Sequence, residues 1–155
     1  MADHAPPYGC PITVAMLLAD PAGRILIVRP AGRASGWLLP GGLVKLGESP
    51  RDAARRKVRE ETNVDVEPGA LVAVDWVQAS RAHRRARLAF VFTGRTLTPD
   101  DIAGIRLQRA EVDAWRLEPP ARALLLLHHR VAARVAPTLS GGGRPLYRET
   151  RKATT

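Results

Sequence analysis

The chain has 155 residues, a hydrophobic fraction of 45%, a charged fraction of 25% and a formal net charge of +9 at pH 7. This composition is typical of one soluble globular domain and excludes an intrinsically disordered chain. The single cysteine, Cys10, excludes an internal disulfide framework and a zinc site made of several cysteines.

Two apolar runs near the start of the chain predict a β-hairpin. Ile12–Ala19 and Arg24–Arg29 are rich in strand-forming residues, and the turn sequence Asp20-Pro21-Ala22-Gly23 separates them. A loop and the short segment Trp37-Leu38-Leu39 then lead to Pro40-Gly41-Gly42.

The segment Ser49–Thr62 predicts a helix. Ser49 followed by Pro50 is typical of an N-cap and a first helical position. Asn63 stands where a left-handed C-terminal cap is expected, a conformation that Asn tolerates.

The second half of the chain alternates strand and helix patterns. Strands are predicted at Ala70–Gln78, at Leu88–Thr93 and within Glu111–Leu117, a turn or helix start at Thr98–Asp101, and one helix at Ala121–Val135. After the linker Ser140–Gly143, the basic tail is expected to be ordered only if Leu146-Tyr147 packs on the domain. We therefore predict one α/β domain with a mixed sheet at 12–136, between flexible segments at 1–11 and 137–155.

A Gly-Gly turn and the helix after it place several carboxylates close together. Glu60 lies four residues after Arg56, so the two share a helix face beside Glu61, while Gly42 and Glu48 precede the helix. Magnesium and manganese prefer carboxylate and carbonyl oxygens, so a metal site is plausible chemistry here. A Glu-Glu pair preceded by arginines is also typical of a solvated, ion-paired surface, so the wider pattern decides.

That wider pattern, from Gly42 to Val64, resembles the Nudix box. The box reads Gly, five residues, Glu, seven residues, Arg-Glu, an aliphatic, any residue, Glu-Glu, any residue, Gly and an aliphatic, and this chain matches seven of its nine specified positions. The resemblance implies a Nudix-type α/β/α sandwich that hydrolyses the diphosphate linkage of a nucleoside diphosphate-linked small molecule, using Mg²⁺ or Mn²⁺. Members of the family are often dimers, so a homodimer is one expectation, but the sequence leaves the oligomeric state open.

The resemblance assigns roles by position. It implies that the Gly41 carbonyl, Glu60 and Glu61 are metal ligands and that Glu48 supports the ions directly or through water. It also implies that Arg56 orients the glutamates through a charge-assisted hydrogen bond.

Two positions depart from the box. Asn63 replaces a glycine, which is a mild change because Asn also accepts the left-handed conformation. Lys57 replaces a glutamate that in some members is the general base and in others binds metal or its water. Its ammonium can reach Glu60 and Glu61, three and four residues later, and compete with the cation.

Lys57 therefore leaves two hypotheses open. In the first, the domain is catalytically impaired and binds a nucleotide or sugar-phosphate for regulation. In the second, Lys57 points outward and another carboxylate is the base, with Glu111 favoured over Asp100 and Asp101.

The basic loop between two predicted strands is a candidate substrate-binding region. Its residues Arg81, Arg84 and Arg87 could contact substrate phosphates, with Trp76 as a neighbouring pocket wall. The alternative is a solvated hairpin tip whose charges discourage edge pairing.

The remaining features concern location and partners. No stretch of about 18 apolar residues is present, and Met1–Cys10 lacks the pattern of a signal peptide, so we expect a cytoplasmic protein without a membrane partner. The arginines are spread along the whole chain, and aromatic residues between them are sparse. The charge therefore indicates an anionic small-molecule substrate, and nucleic acid is only a weak third hypothesis.

Overall fold

The computed structural model describes residues 9–33, 36–81 and 85–151. Within these ranges the strands are β1 Ile12–Leu17, β2 Ile25–Pro30, β3 Gly41–Leu43, β4 Pro68–Val77, β5 Arg87–Gly94, β6 Val112–Glu118 and β7 Leu146–Thr150. The helices are α1 Pro50–Thr62, α2 Pro99–Ala103, α3 Pro120–Leu126 and α4 His129–Leu139.

Two sheets organise these elements. The larger has five strands in the order β3-β1-β5-β4-β7, and the smaller pairs β2 with β6. In the larger sheet β1 runs parallel to β5 and β4 parallel to β7, while β1–β3 and β4–β5 are antiparallel. The predicted α/β fold with a mixed sheet is confirmed.

The predicted hairpin of the first two runs forms only next to its turn, where the Leu26 amide donates to the Leu18 carbonyl at 2.9 Å. The turn forms, since the Arg24 amide donates to the Asp20 carboxylate at 2.8 Å and Ala19 bridges Ile25. However, both edges of β1 are already taken, because Val14 lies opposite Gly42 of β3 on one side and Phe90 of β5 on the other. The strand β2 therefore pairs with β6 in the second sheet.

The predicted helix after the Gly-Gly turn is confirmed as α1, with both caps. The Asp52 amide donates to the Ser49 hydroxyl at 3.1 Å, and Asn63 is left-handed with φ 64°. The apolar face of α1, made by Ala53, Ala54 and Val58, is buried completely or almost so. This packing fixes the direction in which the charged residues of the helix point.

Helices cover both faces of the large sheet. Along β1, Val14 and Met16 pack in the core cluster that contains the α1 residues, while Leu17 packs in the cluster that contains residues of α3 and α4. Successive strand residues thus enter opposite cores, as expected for a sheet between two helical layers.

The C-terminal part differs from the sequence prediction in two ways. The single helix predicted at Ala121–Val135 is broken, because Leu127 is extended with ψ 143° and the His128 amide donates to the Trp37 carbonyl at 2.8 Å. Within the tail predicted to be flexible at 137–155, α4 continues to Leu139 and Leu146–Thr150 forms β7. The tail was expected to be ordered only if Leu146-Tyr147 packs on the domain. Leu146 does so, since it pairs with Ala73 of β4.

The described part of the chain contains no helix that is both long and apolar enough to cross a membrane.

Candidate active site

Arg56 joins the loop before α1 to the last part of that helix. Its guanidinium donates to both carboxylate oxygens of Glu48, at 2.6 and 2.9 Å, and to Glu60 at 3.0 Å. It also donates to the carbonyl of Leu43 at 3.0 Å. The spacing of four residues predicted the contact with Glu60, and the orienting role that the resemblance gives to Arg56 agrees with this geometry.

These contacts control the charge of two carboxylates. The hydrogen bond from Arg56, followed by that from the Lys45 amide, lowers the pKa of Glu48 to about 2. For Glu60, partial burial acts to raise the pKa, but the hydrogen bond and charge of Arg56 outweigh it and the pKa is lowered. Both groups are therefore ionised at neutral pH.

Lys57 points into the site. Its side chain is only 10% exposed, and Nζ lies 3.5 Å from Glu60 Oε2 and 3.5 Å from Glu61 Oε1. The same ammonium donates to Glu111, 54 residues later in the chain. The hypothesis that Lys57 points outward is wrong, because the small apolar residues of α1 hold the helix face that carries Lys57 against the sheet.

Gly42 allows this inward position. A Cβ built on Gly42 would lie 2.5 Å from Cε of Lys57, which is too close for two carbon atoms. A side chain at this position would displace the lysine stem, so the glycine allows Lys57 to approach strand β3 this closely.

Glu61 is the most deeply buried carboxylate of the site. It is 5% exposed, and the Gly41 amide donates to its Oε2 at 3.1 Å. Burial outweighs the attraction of Lys57 and the Gly41 hydrogen bond, and raises the pKa of Glu61 to about 7. Burial acts to lower the pKa of Lys57, but Glu111, Glu61 and Glu60 outweigh it, so that this pKa is raised.

Among the three carboxylates proposed as alternative bases, only Glu111 reaches this cluster through Lys57. Asp101 instead caps α2, since it accepts from the Thr98 amide at 2.7 Å and pairs with Arg95. Asp100 lies exposed in the first turn of the same helix.

A cavity of about 380 Å³ opens beside the Gly-Gly turn. Its polar and glycine lining is contributed by strands β1, β3 and β5, the loop after β2 and the start of α4: Thr13, Arg33, Gly41, Gly42, Arg87, His128, Arg130 and Arg134. A second hollow, of about 560 Å³, lies along the outer face of α1 and is lined by charged residues that include Glu48 and Glu60.

Of the residues predicted to bind substrate around the basic loop, one lines a cavity. Arg87 lines the 380 Å³ cavity, whereas Arg81 and Trp76 are not among the described residues that line either hollow. Trp76 instead pairs along β4 with Leu88 and Glu149. Arg84 lies outside the described residues.

Sequence reasoning missed the cavity residues of α4. Arg130 and Arg134 are four residues apart, so they share one helix face, and this spacing was a usable signal. The prediction of one uninterrupted helix hid it, because the true helix begins only after the break at Leu127.

Comparison with known proteins identifies the family. A model of the NUDIX domain matches residues 10–139 of the chain. The chain belongs to the Nudix hydrolase family. It is 32% identical over 126 residues to an RNA pyrophosphohydrolase of Rhodopseudomonas palustris, a match that covers 68% of this chain and 75% of the relative.

Two further matches agree. A diphosphoinositol polyphosphate phosphohydrolase of Mus musculus, the 3-alpha protein, is 31% identical over 79% of this chain and 72% of its own length. The crystal structure of a MutT protein from Methanosarcina mazei superposes with a TM-score of 0.72 at 21% identity, covering 86% of this chain and 96% of that one. This structural likeness shows the Nudix fold.

Nudix hydrolases generally use divalent metals, and the donor chemistry of the box segment suits such ions. The present arrangement does not fit one, because Arg56 holds Glu48 and Lys57 links Glu60, Glu61 and Glu111. Across the part of the chain that the structure describes, no three His, Cys, Asp or Glu side chains form a group that could hold a metal ion.

Proposed function

We propose that the chain hydrolyses the diphosphate linkage of a small nucleoside diphosphate-linked compound. The observation that carries the proposal is the set of Glu48 and Glu60 joined by Arg56, with Glu61 bonded to Gly41, a lining residue of the basic cavity. The named relatives act on RNA pyrophosphate groups and on diphosphoinositol polyphosphates, which supports a phosphoanhydride substrate. Mg²⁺ or Mn²⁺ is the proposed activating ion, and it can bind only once Lys57 has moved away from Glu60 and Glu61.

The chain's own groups have separate roles in this reaction. A water oxygen forms a bond to phosphorus, the bridging phosphorus–oxygen bond breaks, and the leaving phosphate departs with the bond's electron pair. We assign the proton of the water to Glu111, whose side chain is 41% exposed beside Lys57. Arg56 acts as a positioning residue that holds the Glu48 and Glu60 carboxylates in place.

A second function is favoured by one observation. The Lys57 ammonium contacts three carboxylates at the position where family members usually have a glutamate. Loss of a positioned base typically costs about 10²- to 10⁴-fold in rate. The chain would then be a Nudix domain that binds a nucleotide or sugar-phosphate without turning it over.

One experiment separates the two functions. Nucleoside triphosphates, dinucleoside polyphosphates, ADP-ribose, nucleotide sugars and a 5′-triphosphate RNA are incubated with the wild type and with Lys57→Glu, in Mg²⁺, in Mn²⁺ and in EDTA. Release of phosphate or nucleoside monophosphate is measured, and binding is measured in parallel. The first function predicts wild-type turnover of a small diphosphate compound that Lys57→Glu increases.

Two further variants test the site. Glu60→Gln is expected to lower turnover, whereas Glu67→Gln, which changes an exposed glutamate paired with Arg55, is the matched control and is expected to leave it unchanged. Equal activity of Glu60→Gln and the wild type would contradict the assignment of this site. Binding without product from either the wild type or Lys57→Glu would establish the second function.

A further inference from the structure

One part of the lining of the 380 Å³ cavity, here called the arginine wall, is strongly basic. Arg87 comes from β5, Arg130 and Arg134 come from α4, and Arg33 comes from the loop after β2. The N-terminal end of α4, with His128 as its N-cap, faces the same space and adds the positive end of a helix dipole. Four guanidinium groups and a helix N-terminus thus surround one small cavity.

The carboxylate that pairs with Arg134 of this wall is Asp75. Asp75 is completely buried, accepts from Arg134 Nε at 2.8 Å and from the Thr150 hydroxyl at 3.0 Å, and lies 3.5 Å from Arg148. One carboxylate therefore serves two arginines, and it leaves the positive charge of the other cavity arginines in excess.

Two observations indicate that the cavity arginines lack acceptors for their positive charge. Burial, and after it the charges of Arg130 and Arg134, lower the pKa of Arg87, and Asp75 only partly offsets them. The Nε of Arg130 is buried and has no hydrogen-bond partner among the residues that the structure describes. A buried N–H without a partner is costly, so an anionic acceptor at this position would be favourable.

We propose that this arginine wall binds a phosphomonoester on the far end of the substrate. The inference rests on the proposed function, in which the diphosphate lies by Gly41 and Gly42, which line the same cavity. The guanidinium groups match a phosphate dianion in charge and in donor geometry. The substrate class is thereby narrowed to diphosphate-linked compounds that carry an additional terminal phosphate.

A pair of probes that differ by one phosphate tests this proposal. NAD⁺ and NADP⁺ both contain a diphosphate linkage, and NADP⁺ has one extra phosphomonoester. Their affinities are measured by equilibrium titration in EDTA, so that turnover does not contribute. The wild type is expected to bind NADP⁺ about 10- to 100-fold more tightly, the factor that hydrogen bonds to a charged group provide. The preference should decline steeply with salt.

The variants identify the residues responsible. Arg130→Gln and Arg87→Gln should each remove most of the preference and leave the affinity for NAD⁺ nearly unchanged. Neither change touches the pair of Asp75 with Arg134, so both variants should fold, which thermal unfolding checks. Arg122→Gln, the same change on an exposed arginine of α3 outside the cavity, is the control and should retain the wild-type preference.

Each other outcome overturns the proposal. Equal binding of NAD⁺ and NADP⁺ by the wild type would end the inference and leave the hydrolase proposal intact. A preference that survives in both cavity variants would show that another surface binds the phosphate. Failure of both probes and of every diphosphate compound in the substrate panel to bind would contradict the proposed function itself. Tighter binding of a 5′-triphosphate RNA, lost in Arg130→Gln, would replace the small-molecule ligand by RNA.

Discussion

Two clusters of buried charge lie on opposite faces of the large sheet, and the sign of the central charge differs between them. On the α1 face, one ammonium, that of Lys57, contacts three carboxylates. On the α4 face, one carboxylate, that of Asp75, contacts two guanidinium groups and a hydroxyl. The first cluster has an excess of negative charge and the second an excess of positive charge.

The distances between the charged atoms also differ between the two clusters. Asp75 accepts hydrogen bonds of 2.8 to 3.2 Å and joins strand β4 to α4 and β7, as expected for a structural group. Lys57 lies 3.5 Å from Glu60 and from Glu61, so these two carboxylates are attracted without close hydrogen bonds. The Lys57 ammonium therefore holds Glu60 and Glu61 mainly by charge attraction, whereas Asp75 is held by close hydrogen bonds.

The largest effect on stability is expected from breaking the Asp75 cluster. In Asp75→Ala, Arg134 and Arg148 lose their buried partner, and removal of one member of a buried ion pair typically costs about 3 to 5 kcal/mol. Urea unfolding should show this loss, and amide exchange should show that β7 loses protection. The exposed Asp65 pairs with Arg55, so Asp65→Asn is the control and should change stability little. Equal stability of the two variants would show that Asp75 does not hold β7.

Replacing the central positive charge of the α1 cluster by a negative charge should create metal binding. Lys57→Glu replaces the ammonium by a carboxylate, so Glu60, Glu61 and Glu111 need a cation to neutralise them. At Mn²⁺ concentrations a hundred times Kd, the unfolding free energy of the variant should rise by about 2.7 kcal/mol, with a much smaller rise in the wild type at the same concentration. Arg122→Glu, which replaces a positive by a negative side chain at an exposed position of α3, is the control. An equal Mn²⁺ effect in wild type and Lys57→Glu would show that Lys57 does not compete with metal.

The α1 cluster was predictable from the sequence to a large extent. Local spacing fixes the positions of Arg56, Lys57, Glu60 and Glu61 on one helix, and the Ser49 and Asn63 caps fix where that helix begins and ends. The contact of Lys57 with Glu111 spans 54 residues, and position after the central strands gave only a preference for Glu111 over two aspartates.

The Asp75 cluster was not predictable in the same way. Arg134 and Thr150 lie 59 and 75 residues from Asp75, so the cluster depends on where α4 and β7 pack. The break at Leu127 has no glycine or proline to signal it and arises from pairing with Trp37, a tertiary contact. The same reason explains why the hairpin forms only next to its turn, since the partners of β1 are distant in the sequence.

Removing the buried charge of Glu61 should stabilise the protein in a pH-dependent way. Burial raises the pKa of Glu61 to about 7 from its ordinary 4.5, so the folded state binds the proton more strongly than the unfolded state. The contribution of Glu61 to the free energy of unfolding is therefore fully present below pH 4.5 and is lost as the pH rises through 7. In EDTA at pH 8.5, Glu61→Gln should be more stable than the wild type by about 2 to 3 kcal/mol, and the gain should vanish near pH 4.5.

Glu60→Gln is the matched control for this measurement. The pKa of Glu60 is lowered, mainly by Arg56 acting against burial, so its charged form already stabilises the folded state. This variant should gain no stability at high pH. A gain of equal size in Glu60→Gln would show that general repulsion among the carboxylates, and not burial of Glu61, sets the effect.

The smallest effect is expected at the start of α4, beside the arginine wall. His128 Nδ1 accepts from the Arg130 amide at 3.3 Å, which requires an unprotonated Nδ1. Burial, followed by the charges of His129 and Arg130, lowers the pKa of His128. The unfolded chain therefore takes up the proton first, and stability present above pH 6.5 is lost as the pH falls below it. Asn retains a capping acceptor without titrating, so unfolding free energies from pH 8 to pH 5.5 should decline by about 0.5 to 1 kcal/mol more for the wild type than for His128→Asn. Because the charge of His129 is one of the causes of the lowered pKa, His129→Asn should reduce the decline only in part. A decline in His128→Asn that parallels the wild type would place the titrating group elsewhere.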